Sequence, residues 1–99
     1  MSASDFPFMW YLQTIQRKVN EKWAPPARAA ETNAVVVFEI GRDGHLKNPA
    51  VERSSGDTLF DQAALRAIVD AHPFPPLPEE FKQPALKIHL GFNLSTDRG

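Results

Sequence analysis

The sequence predicts a single α+β domain with the element order α-β-β-α-β. Two segments carry apolar residues at helical spacing, and three others are β-branched or alternate with the period of a strand. Glycine- and proline-rich stretches separate these segments. The 99 residues, 42% hydrophobic and 10% aromatic, are typical of one folded domain. We predict that the domain occupies residues 8–94, after a linker remnant at residues 1–7 and before a tail at residues 95–99.

The first helix is predicted over residues 8–23. Its apolar residues form one stripe, which comprises Phe8, Tyr11, Leu12, Ile15, Val19 and Trp23. Trp10 and Trp23 are both predicted to lie in the core. The helix is expected to end before Pro25, because a proline disfavours the helical conformation of the residue that precedes it.

A β-hairpin is predicted after the first helix. Residues 34–40 are the most β-like segment, and apolar residues on both of its faces indicate a central strand. A two-residue turn at Asp43-Gly44 leads into a second strand over residues 45–54. Leu46 and Val51 are an odd number of residues apart, so they reach the same face only across a bulge. Pro49 lies between them and indicates an edge strand.

The second helix is predicted between Asp57 and Pro73. Thr58 with Asp61 resembles a capping box, and Asp57 is an alternative N-cap. The apolar stripe is narrow and consists mainly of small residues: Phe60, Ala63, Ala64, Ala67, Ile68 and Ala71. A proline-rich segment at residues 73–78 follows. We interpret it as a rigid connector within the fold, although its P-x-x-P pattern also suits a ligand for an SH3-type groove.

The last strand, residues 84–94, alternates more regularly than any other segment. Leu86, Ile88, Leu90, Phe92 and Leu94 share one face, whereas Lys87, His89 and Asn93 share the other. With the apolar strand at the centre, the predicted spatial order is 2-1-3, a split βαβ arrangement with both helices on one face. The third strand contains no proline after Pro84, so its outer edge is expected to be open to another chain.

The sequence contains few residues that suggest catalysis or metal binding. The absence of cysteine excludes disulfides, a thiolate nucleophile and zinc–thiolate sites. The three histidines lie apart in the chain and lack the spacing of a helical metal site. We therefore predict no catalytic residue, metal ion or cofactor. A net charge of −1 with interspersed acidic and basic residues argues against nucleic-acid binding.

Several segments together resemble the C-terminal domain of the TonB/TolA family of energy transducers. The matching pieces, in chain order, are Tyr11-x3-Ile15-x7-Trp23-x-Pro25, Val35-x-Val37-Phe38-x-Ile40-x-Arg42-Asp43-Gly44, Val51-x-Arg53-Ser54-Ser55-Gly56, Leu59-x-Asp61-x-Ala63-Ala64-x-x-Ala67-Ile68 and Pro73-Phe74-x-Pro76-Leu77-Pro78. Each piece is a packing, capping or turn device, and their order and spacing together carry the resemblance.

The resemblance implies a non-enzymatic periplasmic domain, anchored to the inner membrane by an N-terminal segment that is not present in this chain. It implies an inner-membrane proton-channel complex as one partner, reached through that absent part. The other partner would be the TonB-box peptide of outer-membrane receptors that import iron chelates or vitamin B12. By position, the peptide-binding edge strand would comprise Ala85, Leu86, Lys87, Ile88, His89, Leu90, Gly91 and Phe92.

Three alternatives remain open at the level of sequence. A TolA-like protein-interaction domain that maintains the cell envelope belongs to the same class. An RNA-binding α+β module belongs to a different class and would require aromatic residues on the uncovered face of the sheet. The open edge also allows two copies of the chain to form a strand-exchanged homodimer.

Overall fold

The computed structural model describes residues 8–24 and 32–94, and these contain two helices and one three-stranded sheet. The elements are α1 (Met9–Lys22), β1 (Thr32–Gly41), β2 (Leu46–Arg53), α2 (Thr58–Ala71) and β3 (Ala85–Leu94). The predicted order α-β-β-α-β is therefore confirmed. Residues 1–7 and 95–99, predicted to be a linker remnant and a tail, and the prolines at 25 and 26 lie outside the described residues. Within the described ranges, neither helix has the length and apolarity that crossing a bilayer requires.

The strands of the sheet lie in the order β2-β1-β3, as the sequence predicts. Both pairs are antiparallel. The β1–β3 register is continuous, from Gly41 opposite Ala85 to Thr32 opposite Leu94. The central position of β1 explains why it is apolar on both faces: its inner residues are fully buried, and Val35 and Val37 on the other face are half-buried.

The hairpin loop differs from the predicted two-residue turn. The amide of Gly41 donates to the carbonyl of His45 (2.9 Å), and the amide of Gly44 donates to the carbonyl of Gly41 (2.9 Å). The loop therefore contains three residues, from Arg42 to Gly44, in which a turn is followed by a residue with positive φ. Gly44 has a φ of +92°, and a Cβ atom added there would lie 2.0 Å from the carbonyl oxygen of Phe74.

The predicted bulge in the second strand is confirmed. The register of β2 against β1 slips between Val37 and Glu39, where β2 carries one extra residue, and Asn48 takes a φ of +52°. This slip brings Leu46 opposite Ile40. A second slip lies between Val35 and Val36. The slip between Val37 and Glu39 falls between Leu46 and Val51 of β2, so it explains how these two apolar residues reach the same face at odd spacing.

The hydrophobic core lies between the sheet and the two helices, which share one face of the sheet as predicted. Its largest fully buried side chains include Tyr11 of α1, Phe38 of β1 and Phe60 of α2. Small residues of α2 are buried close to the sheet, in keeping with the narrow stripe. One prediction is wrong: Trp10 is 56% exposed, because it lies outside the stripe of α1 that faces the core.

Asp57, the alternative predicted cap, is the N-cap of α2. Its carboxylate accepts hydrogen bonds from the amides of Leu59 (3.0 Å) and Phe60 (3.4 Å). The predicted capping box of Thr58 and Asp61 is wrong, because Asp61 accepts instead from Ser54 and Ser55. Burial acts to raise the pKa of Asp61, but these serine hydrogen bonds outweigh it and hold the pKa below its usual value.

The proline-rich segment is a connector built into the fold, so the SH3-ligand interpretation is wrong. Phe74, Leu77 and Pro78 are buried. The amides of Phe74 and Leu77 donate to carbonyls of the hairpin loop, those of Gly44 and Arg42, both at 3.1 Å. The Arg42 guanidinium donates in turn to the carbonyls of Pro78 (3.3 Å), the last residue of the connector, and of Phe81 and Gln83 (3.0 Å), which follow it.

Candidate functional site at the outer edge of β3

The outer edge of β3 has no neighbouring strand among the described residues. The amide of Gly41 in β1 donates to the carbonyl of His45, on the β2 side. The main-chain N–H and C=O groups of successive residues in an antiparallel strand point to alternate sides, so the odd-numbered residues of β1 face β2. The even-numbered residues of β1 therefore pair with β3, through Leu86, Ile88, Leu90 and Phe92. It follows that the main-chain groups pointing away from the sheet belong to Ala85, Lys87, His89, Gly91 and Asn93.

The two edges of the sheet differ in regularity. β3 spans 10 residues without a register slip, so its outward main-chain groups recur at every second residue. β2 has two slips and contains Pro49, which has no N–H to donate. An added strand needs a straight row of donors and acceptors, so the β3 edge is the better template.

Polar and charged side chains border the β3 edge on the face that the helices leave uncovered. The His89 Nδ1 atom lies 2.8 Å from a carboxylate oxygen of Glu52, which belongs to β2. The two side chains therefore meet across β1, which separates their strands. Lys87 lies opposite Glu39. An added strand would meet these side chains with every second residue.

A groove runs between α1 and β3 on the other side of the edge. Its apolar end is a 140 Å³ pocket whose lining includes Met9, Leu12 and Ile88. Its amide-lined end is a 320 Å³ pocket whose lining includes Asn20 and Asn93. Gln16 and Leu90 line both pockets. We call these the apolar pocket and the amide pocket.

Sequence reasoning missed this groove, although it placed Leu90 at the edge. The exposed Met9 and Gln16 lie beside the core stripe of α1, and the helical pattern alone does not reveal which strand they adjoin. The signal that was available is that Met9 and Gln16 do not belong to the predicted apolar stripe of the helix. Only the fold shows that the strand beside these two residues is β3.

The described residues contain no group of three or more acidic, histidine or cysteine side chains that could hold a metal ion. His45 contacts Asp43 (2.7 Å) in the hairpin loop, and His72 contacts the carbonyl of Val69 at the end of α2. His89 pairs with Glu52. The three histidines thus lie at separate places, each with its own local partner. The His45 hydrogen bond holds the pKa of Asp43 below its usual value.

Within the described residues, these features define an α+β domain whose sheet has one regular edge, that of β3, without a neighbouring strand. The sequence matches the model of the family "TonB C terminal" over residues 8–92, so the chain belongs to that family. It is 32% identical over 88 residues to Protein TonB of Haemophilus influenzae. That match covers 85% of this chain and 32% of the relative, so the chain spans about one third of that protein's length.

Two solved structures show the same fold. The solution structure of the Helicobacter pylori TonB C-terminal domain matches with a TM-score of 0.75 and 26% identity, over 91% of this chain and 84% of that one. TolAIII bound to a peptide derived from the N-terminus of TolB matches with a TM-score of 0.69 and 26% identity, over 87% and 73% of the two chains.

Proposed function

We propose that this chain is the receptor-binding domain of a TonB-like energy transducer. It binds the TonB-box peptide of outer-membrane receptors as a fourth strand on the outer edge of β3. The rest of the protein anchors it to the inner membrane, places it in the periplasm and joins it to a proton-channel complex. The domain then passes the energy of the proton-motive force to receptors that import siderophores or vitamins, without catalysing a reaction itself.

The observation that carries this proposal is the difference between the two sheet edges. The β3 edge offers five outward-facing residues in one register, and the β2 edge is interrupted twice. Family membership supports it independently, and so does the TolAIII neighbour, whose structure was solved with a bound peptide. Strand addition draws its affinity from main-chain hydrogen bonds, and neighbouring side chains adjust specificity.

The test is an NMR titration of the ¹⁵N-labelled domain with a synthetic TonB-box peptide. The largest amide shifts are expected at Lys87, His89 and Gly91, whose N–H groups face outward. Leu86 and Ile88, whose N–H groups face β1, should shift less. Shifts confined to β2 or to α2 would contradict strand addition at this edge.

A proline at position 87 tests the main-chain contribution separately. Lys87→Pro removes an outward donor and leaves the hydrogen bonds to β1 in place, because proline is tolerated where the N–H faces away from the sheet. We expect roughly tenfold weaker peptide binding, from one lost hydrogen bond and the bulk of the ring. Lys87→Ala is the matched control and should bind nearly as well as the original chain. Equal affinities for the two variants would count against the proposal.

A TolA-like role is the second candidate, and the TolAIII neighbour is the observation that favours it. In this case a peptide from the N-terminus of TolB would bind the β3 edge, and the TonB-box peptide would not. Deletion of the gene would then cause outer-membrane leakage rather than loss of siderophore uptake.

Two further alternatives from the sequence are less well supported. The sheet aromatics Phe38 and Phe92 are buried against the helices, where they are not available to stack on RNA bases. A homodimer through the β3 edges would compete with peptide binding, because both use the same donors. Sedimentation across a concentration series, with and without peptide, distinguishes dimerisation from peptide binding at this edge, because the peptide should dissociate such a dimer.

A further inference from the structure

We propose that the α1–β3 groove selects the partner's side chains: the bound strand carries an aliphatic residue and, two positions away, a neutral hydrogen-bonding residue. This inference rests on the proposed strand addition at β3. It names a chemical pattern in the partner that main-chain pairing alone does not require.

The geometry of a shared pleat connects the groove to the edge. Side chains of a strand alternate between the two faces of a sheet, and an added strand continues the pleat of its neighbour. Every second residue of a strand beside β3 therefore points to the face that α1 covers. Ile88 and Leu90 are adjacent inward-facing residues of β3, two positions apart, and each lines the apolar pocket. The occupant of the groove is thus the same extended segment that pairs with the edge.

The apolar pocket suits one aliphatic side chain. Its volume is 140 Å³, and cavities of about 150 Å³ accept a molecule as large as benzene. Leu12 is partly buried against the core and Ile15 is fully buried, so the pocket wall is fixed by the packing of α1. Met9 is 60% exposed at the rim, and burial of its side chain by a ligand would remove apolar surface from water.

The amide pocket suits a neutral polar side chain. Gln16 and Asn20 of α1 line it, and each supplies a side-chain amide that both donates and accepts hydrogen bonds. Both are exposed, so they are free to reorient towards a ligand. The residues that line the two pockets include no charged side chain. A charged residue of the partner would be desolvated there without an ion-pair partner, which is unfavourable.

The order of the two residues along the partner depends on the direction in which the strand is added. α1 and β3 run the same way past each other, since Met9 adjoins Ile88 and Asn20 adjoins Asn93. The apolar pocket therefore lies towards the start of β3 and the amide pocket towards its end. One direction of binding matches Val-x-Asn, and the opposite direction matches Asn-x-Val.

The experiment uses synthetic threonine-rich peptides with two guest positions separated by one threonine. The guest pairs are Val-x-Asn, Asn-x-Val, Val-x-Val, Asn-x-Asn and Val-x-Asp, together with Asp-x-Val. Affinity is measured by NMR titration of the folded domain. We expect one of the two mixed Val/Asn peptides to bind about tenfold more tightly than Asn-x-Asn, because it buries an aliphatic side chain. The Asp peptide in the same order should bind more weakly than its Asn counterpart.

Two surface variants change the polarity of the pockets in opposite directions. Gln16→Leu makes the amide pocket apolar, and Val-x-Val should then become the tightest binder. Met9→Gln weakens the apolar rim, so the preference for valine should fall severalfold. Both positions are exposed on α1 and both new residues are good helix formers, so the fold is retained. Thr14→Ser on the same helix, outside both pocket linings, is the control and should leave the ranking unchanged.

The possible failures separate the two proposals. If all peptides shift the outward β3 amides with equal affinity, strand addition stands and groove selection is overturned. If the ranking is unaffected by Gln16→Leu, the selecting residues are not those of the groove, and the inference is wrong. If none of these peptides shifts the β3 amides but the TonB-box peptide does, the groove inference is overturned and the proposed function stands; if the TonB-box peptide also fails, both are overturned.

Discussion

Tyr11 joins the first helix to the proline-rich connector through a single buried hydroxyl group. Its side chain is fully buried, and the hydroxyl donates to the carbonyl of Pro75 at 2.6 Å. Burial raises the pKa of Tyr11 to about 12, because the ionised phenolate would lose its hydration in the core. The aromatic ring therefore fills the core as the sequence pattern requires, and the hydroxyl adds a link that the pattern does not show.

The first prediction concerns this hydroxyl. Tyr11→Phe keeps the ring but leaves the carbonyl of Pro75 without that donor, so we expect a loss of about 1–2 kcal/mol in the free energy of unfolding. Urea denaturation at neutral pH measures it. An unchanged midpoint would mean that water replaces the donor at no cost.

The raised pKa also predicts a pH dependence. An unfolded tyrosine has a pKa of about 10. A group with a higher pKa in the folded state stabilises the fold fully below pH 10, and this contribution is lost as the pH rises towards 12. The free energy of unfolding of Tyr11→Phe should therefore not show this decrease between pH 10 and pH 12. Because Tyr11 is the sole tyrosine of the chain, the ultraviolet absorbance of the tyrosinate reports its titration directly.

At the scale of elements, the hairpin loop and the connector form one unit. Gly44 accepts from the Phe74 amide, and its Cα approaches the connector so closely that a Cβ atom would overlap the Phe74 carbonyl oxygen. Arg42 fixes the chain after the connector by donating to three carbonyls. The loop therefore sets where β3 begins, and with it the position of the open edge.

The second prediction compares two glycines with nearly equal backbone angles. Gly44 has a φ of +92° and Gly56 a φ of +91°, but a Cβ atom at Gly56 would meet nothing within 4 Å. Gly56→Ala should cost about 1 kcal/mol, from backbone strain alone. Gly44→Ala should cost roughly 2–4 kcal/mol, because the overlap with Phe74 adds to that strain. Thermal unfolding of the two variants measures the difference, and equal losses would contradict the close approach.

The sequence predicts well those features that depend on local pattern. The odd spacing of Leu46 and Val51 predicts the bulge, and the apolar character of residues 34–40 on both faces predicts the central strand and thus the order 2-1-3. It fails where partners are distant in the chain. Arg42 and its carbonyl acceptors are separated by 36 to 41 residues, and Met9 adjoins a strand that begins at Ala85. The length of the hairpin loop was also predicted wrongly, because a glycine at position 44 suits a two-residue and a three-residue turn equally.

At the scale of the whole molecule, one aromatic cluster joins the end of α1 to α2 and to β3. The Trp23 ring lies 5.3 Å from that of Phe60 at 83°, and 4.9 Å from that of Phe92 at 54°. The first pair is edge-to-face, a geometry that aromatic pairs favour, and the second is tilted. α1, α2 and β3 therefore meet at one residue, which also lines the amide pocket of the groove.

The last prediction tests whether this cluster holds the molecule together as one cooperative unit. Trp23→Ala removes the contacts with both α2 and β3, so we expect a loss of about 2–4 kcal/mol in the free energy of unfolding. Trp10→Ala changes the same residue type on the same helix, but Trp10 is 56% exposed. This control should cost no more than about 0.5–1 kcal/mol.

Urea denaturation followed by circular dichroism measures both variants. If the helices and sheet unfold together, each variant should show a single transition with an unchanged slope, and only the midpoint should move. Similar losses for the two variants would show that the cluster does not couple the elements. A second transition in Trp23→Ala alone would instead show that α1 detaches first, and the groove and the amide pocket would then be lost before the β1–β3 pairing that supports the open edge.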